Sequence, residues 1–141
     1  MIFLGGTCGD NDWRRERAIP LLRELGVPAS EIFDPVVDDW DEAAQAREDA
    51  AKRDARFVLF YIGNPRAHDS EVSAYSLVEA VMALYDQPAR AVVVFGPEEF
   101  SPGTAKHLRK CEMDLRRRFP EGAIFASLDH ALRAIAGEYT A

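Results

Sequence analysis

The chain has 141 residues, 48% of them hydrophobic and 29% charged, with a formal net charge of −7. That length and balance predict one domain, residues 1–141, with a single sizeable core, and they exclude a disordered chain. The acidic surplus argues against a nucleic-acid polymer as partner, because such a surface needs a basic patch.

The one basic cluster, Arg116-Arg117-Arg118, ends a helical run and complements its C-terminus. Cys8 and Cys111 lie far apart with no metal-type spacing, which predicts free thiols in a reducing cytosol. The histidines His68, His107 and His130 are scattered, and neither a metal nor any other cofactor is expected. No run approaches the ~18 apolar residues of a membrane span. The chain opens on a strand-like segment rather than a signal peptide.

Ile2-Phe3-Leu4 reads as a buried strand stopped by Gly5-Gly6. A helical pattern follows from about Trp13 to Leu25, with a kink or a late restart expected at Pro20 and an end at Gly26. Glu31-Ile32-Phe33 is a brief second strand. Asp41 caps a helix reaching about Lys52. Phe57 to Ile62 is apolar on both faces, as a central parallel strand should be. A polar loop from Gly63 leads to a helix starting near Ser73. Ala91 to Phe95 is another two-faced strand, Thr104 to about Phe119 a helix, and Ala123-Ile124-Phe125 a last strand. Ser127 caps a final helix reaching Ala136.

Strands and helices alternating in this way specify an α/β protein with right-handed crossovers. The expected layout is a flavodoxin-like three-layer sandwich, a five-stranded parallel sheet of order 2-1-3-4-5. Such sheets bind ligands beyond the C-terminal strand ends. That rule gathers three loops: Gly5 to Trp13, Asp34 to Trp40, and Gly63 to Ser76.

The first loop resembles a phosphate cradle, with glycines at a helix N-terminus and Arg14 and Arg15 as phosphate partners, or is a plain tight turn. It matches neither a Walker A motif nor a dinucleotide fingerprint, and Asp10 and Asp12 make it acidic. In the second loop Trp40 either stacks on a base or plugs the core edge. The helix after the third holds a single charge, Glu79, among apolar and small residues. Leu77, Val81 and Leu84 form one apolar line, with Val78, Met82 and Tyr85 beside it. Ser76 and Ala83 flank Glu79, leaving a small-residue edge with room for a ligand.

Phe3-Leu4-Gly5-Gly6-Thr7, Asp12-Trp13-Arg14, Asp34-Pro35-Val36-Val37-Asp38-Asp39-Trp40 and Tyr75-Ser76-Leu77-Val78-Glu79-Ala80 together resemble the nucleoside 2-deoxyribosyltransferase-like family. The resemblance implies the flavodoxin-like fold, homodimers or higher homo-oligomers with shared active sites, and cleavage of nucleoside or nucleotide N-glycosidic bonds. It makes Glu79 the nucleophile and Ser76 the hydroxyl residue beside it, with Gly5, Gly6, Thr7, Trp13, Arg14 and Trp40 around the substrate. Better-known members carry a contiguous Asp-Ser-Gly-Thr-Ala block before the Glu. Here Asp69 lies ten residues upstream of Glu79 and Tyr75 takes a glycine-like place, so Asp69, Asp39 and Asp54 all stand as base-holding candidates.

Breaking the bond from C1′ to a base nitrogen creates an oxocarbenium-like centre, which a carboxylate stabilises or traps. The departing base needs a proton, which Asp39 or Asp69 would supply. Two other classes fit the same pattern: a catalytically silent nucleotide-binding sensor or regulatory module, and an interaction domain without a small ligand.

Overall fold

The computed structural model describes residues 1–8, 12–63 and 72–141. Five parallel strands form one sheet: β1 (Ile2–Gly6), β2 (Ile32–Phe33), β3 (Phe57–Ile62), β4 (Ala91–Phe95) and β5 (Ile124–Phe125). Their order is β2-β1-β3-β4-β5, as expected. Side-chain alternation divides the sheet into two cores. Ile2, Leu4, Leu59, Tyr61, Val92 and Val94 face the layer of α1 (Ile19–Glu24) and α5 (Leu128–Thr140). Phe3, Val58, Phe60, Val93 and Phe95 face the layer of α2 (Glu42–Asp54), α3 (Ala74–Asp86) and α4 (Pro102–Arg118).

Local chemistry sets the helix starts. Asp41 accepts a hydrogen bond from the Ala44 amide at 2.7 Å, Ser73 from the Ser76 amide at 3.2 Å, and Ser127 from the His130 amide at 3.4 Å. Arg116, Arg117 and Arg118 occupy the last turn of α4, where the helix dipole favours cations. Of the kink and the late restart expected at Pro20 the structure has the restart, and one further expectation, on α3, needs correction. The irregularity near Pro20 lies before it: residues Arg14–Ala18 form a π-helical stretch, and Pro20 sits at the start of α1. Pro20 has no N–H to give, and the Ile19 amide reaches back to Arg14 O in the wider spacing. On α3 the buried line is Ser76, Ala80 and Leu84, while Leu77 and Val81 are only partly buried.

Candidate active site

The loop after β1 is built by Arg14. Its guanidinium is 3% exposed and donates through Nε to Leu4 O at 2.7 Å, and through Nη1 and Nη2 to Thr7 O at 2.8 Å and Gly6 O at 3.2 Å. Asp34 lies 3.9 Å away. Burial pulls the Arg14 pKa down from its usual value, opposed by Cys8, Asp34 and Glu48. Its donors thus serve backbone carbonyls, while one side of Arg14 still borders the cleft. Thr7 is likewise a tie: its hydroxyl donates to Gly63 O at 2.7 Å or Tyr61 O at 3.1 Å. Gly6 has φ +111°, and a Cβ there would meet the Tyr61 backbone at 2.2 Å.

Gly5 stands opposite Phe60 on the α2/α3 face, where the Phe60 ring takes the space of a side chain: a Cβ there would meet Phe60 Cε1 at 2.6 Å. Phe3, Gly5 and Phe60 floor a cleft of about 280 Å³, walled by Glu48 of α2 and by Tyr75, Ser76 and Glu79 of α3. That is near the low end of small-molecule sites, roughly 300–1,000 Å³. Glu79 lies in the second turn of α3, close to the C-terminal strand ends, with its side chain only 11% exposed. Lys52 of α2 donates to Glu79 Oε2 at 2.8 Å. Among the described residues, Oε1 has no hydrogen-bond partner and remains available to a ligand.

Lys52 also approaches Asp49 at 3.6 Å and Glu48 at 4.0 Å, and stands 5.9 Å from the centre of the Phe3 ring. Burial works against the Lys52 charge, but the hydrogen bond and charge of Glu79, then Glu48 and Asp49, leave its pKa above the usual value. The Glu48 carboxyl is held above the ordinary carboxylate range, chiefly by burial. Glu48 and Lys52 were not anticipated. The signal was present: Ala44, Ala51 and Ala55 mark the sheet-facing line, and the i,i+4 pair Glu48 and Lys52 falls along it.

The structure therefore brings together Glu79, Ser76, Gly5, Gly6 and one side of Arg14. It leaves out others. Trp13 is buried on the opposite face, where Nε1 donates to Thr7 O at 2.8 Å and the ring meets Tyr61 edge-on. Trp40 is 62% exposed and so does not plug the core edge, and it does not line the cleft with Glu79. Asp39 is exposed and is not among the residues that line this cleft with Glu79. Asp54 ends α2, its side chain is 72% exposed beside Arg53, and α2 runs antiparallel to the strands, so it sits at the far edge of the sheet. Asp69, Asp10 and His68 lie outside the described residues. A larger cavity of about 510 Å³ opens on the opposite face beside Trp13 and Tyr61. There the Tyr61 hydroxyl donates to Glu99 at 2.6 Å and Arg17 grips Asp129, so the named polar groups already serve one another. The smaller cleft has the mostly buried Glu79 carboxylate, with one oxygen unpartnered among the described residues.

An α/β three-layer fold with a carboxylate-bearing cleft at its strand ends defines a small-molecule site of the kind such sheets build. The sequence profile described as nucleoside 2-deoxyribosyltransferase-like matches residues 1–99, and the chain belongs to that family. Membership points to a nucleoside deoxyribosyltransferase-like enzyme with a small nucleoside as its substrate. Comparisons with curated proteins and with solved structures gave no match.

Proposed function

We propose that the protein cleaves or transfers at the N-glycosidic bond of a nucleoside or nucleoside 5′-monophosphate, with Glu79 as nucleophile. The observation that carries this is the Glu79 carboxylate, 11% exposed, with one oxygen held by Lys52 in a cleft floored by Phe3, Gly5 and Phe60. Glu79 Oε1 traps C1′ as the bond to the base breaks. Water then completes hydrolysis, or a second base completes transfer. The apolar floor limits water around the developing cation, so a fixed carboxylate counts for more there than in solution.

The reading takes residues 1–141 as one domain working in the reducing cytosol as a homo-oligomer without cofactor or nucleic-acid polymer. The free Cys8 and Cys111 agree with that compartment. No helix among the described residues is long and apolar enough to cross a membrane. Tyr75, Val78, Met82 and Tyr85, all exposed on the outer face of α3, support a partner subunit beside the cleft. The test is a chromatographic screen for released base over nucleosides and monophosphates, with and without an added acceptor base. Release of free sugar indicates hydrolysis, and a new nucleoside indicates transfer. Ligand-induced stabilisation without base release would make the protein a binding module instead.

A further inference from the structure

We propose that Glu48 is the proton-handling partner of Glu79, giving a proton to the departing base and taking one from the incoming nucleophile. This rests on the N-glycosidic reading above. Glu48 and Glu79 line one cleft from two different helices. Lys52 Nζ stands 2.8 Å from Glu79 Oε2 and 4.0 Å from Glu48 Oε1, so a single ammonium reaches both carboxyl groups. Glu48 also falls on the inward side of α2, where a charge loses hydration. Burial raises the Glu48 pKa, and Glu79 and Asp49 raise it further, against the pull of Lys52 and Arg14. Among the described residues, those are the charged groups that face it from α2, α3 and the π-helical stretch after β1. Asp39 and Asp54 border neither this cleft nor Glu79.

The steps balance. Glu79 Oε1 forms a bond to C1′ as the C1′–N bond breaks; its electron pair passes to the base nitrogen, which takes the Glu48 proton. Glu79 is then an uncharged ester and Glu48 a carboxylate. Water next attacks C1′ and gives its proton to Glu48, while the C1′–O bond to Glu79 breaks and returns its electron pair to the carboxylate. The pair carries one negative charge in both states, matched by Lys52. The returning charge at Glu79 favours the proton on Glu48, and its loss favours release. The Lys52 ammonium, 2.8 Å from Glu79, 3.6 Å from Asp49 and 4.0 Å from Glu48, stays in reach of both carboxyl groups through that exchange.

Glu48→Gln tests the assignment with a nucleoside and with the 4-nitrophenyl furanoside of the same sugar, whose leaving group needs no proton. On the nucleoside, kcat/KM should fall at least about 100-fold. On the nitrophenyl substrate the variant should release about one equivalent of nitrophenol in a burst and then stall, since deglycosylation lacks its base. Azide should restore turnover and yield the glycosyl azide, because it needs no deprotonation. Equal losses on both substrates, with no burst and no azide rescue, would overturn the proposal, as would Asp69→Asn showing this pattern in place of Glu48→Gln. A parent enzyme that releases no base from any substrate removes the function reading itself, and carboxyl-carbon NMR titration then decides on Glu48 alone. Its midpoint should lie above that of an exposed Glu and fall in Glu79→Gln. A midpoint in the ordinary range, unmoved by Glu79→Gln, would overturn the pairing.

Discussion

A carboxylate that must trap a cation needs one oxygen fixed and the other free. Lys52 meets the first condition with a 2.8 Å contact to Glu79 Oε2, and the open cleft meets the second. Glu79→Gln should therefore lower kcat by orders of magnitude while the melting temperature stays close to the parent's, since a neutral amide cannot form the glycosyl ester. Activity within about threefold of the parent would remove Glu79 from the chemistry. Lys52 acts through Glu79, so its loss should show as misplacement rather than lost binding. Lys52→Met should cut kcat on the order of 100-fold with a smaller change in KM, and Lys52→Arg should recover part of it. A KM effect alone would make Lys52 a substrate contact.

At the scale of elements, the loop between β1 and the π-helical stretch depends on Arg14. Three carbonyls, Leu4, Gly6 and Thr7, receive its hydrogen bonds. Arg14→Leu removes three hydrogen bonds from a charged donor, each worth about 1.5–3 kcal/mol, although Thr7 O keeps Trp13 Nε1 and Gly6 O keeps Cys8 Sγ. A total loss on the order of 3 kcal/mol should lower the melting temperature by roughly 10 °C. A phosphate-binding arginine behaves differently: its removal raises KM for monophosphates and leaves the melting curve nearly unchanged. Thermal denaturation of the variant beside its KM for a nucleoside and the matching monophosphate separates the two roles. Gly6 belongs to the same device, because its φ of +111° and its approach to the Tyr61 backbone admit no side chain.

For the molecule as a whole, α3 has two opposed faces: Ser76, Ala80 and Leu84 inward, and Tyr75, Val78, Met82 and Tyr85 outward. The outward stripe adjoins the cleft through Tyr75, so a second copy packed there would also shape the site. Val78→Glu combined with Met82→Glu should shift sedimentation at micromolar concentration from oligomer to monomer and reduce base release. A parent that sediments as an active monomer would rule out the shared site. A second tie links the C-terminal helix to the β2 edge: the Tyr139 hydroxyl donates to Glu31 Oε2 at 2.5 Å. Burial, then Glu31, pushes the Tyr139 pKa from 10.0 up to about 12. The folded value lies above the unfolded one, so the stability it contributes is complete below pH 10 and lost as pH rises through 12. Melting temperatures followed across that window should fall less steeply in Tyr139→Phe than in the parent.

Periodicity and apolar runs determined the alternation of strands and helices, the starts of α2, α3 and α5, and the place of Glu79 near the strand ends, because each depends on neighbours a few residues apart. The same local signals could not place Arg14, Trp13, Trp40 and Asp54. An arginine after a glycine turn looks like a phosphate ligand until the fold shows three carbonyls converging on it. Trp13 and Glu79 share a motif-bearing chain but lie on opposite faces of the sheet, a consequence of which way the first crossover turns. Glu48 and Lys52 read as ordinary charges on an alanine-rich helix. Only tertiary structure decided that they meet Glu79, since that requires α2 and α3 to pack side by side on one face of the sheet. Contacts between residues 27 positions apart in sequence, such as Lys52 and Glu79, leave no local trace, because no short-range rule couples the two segments before the sheet aligns them.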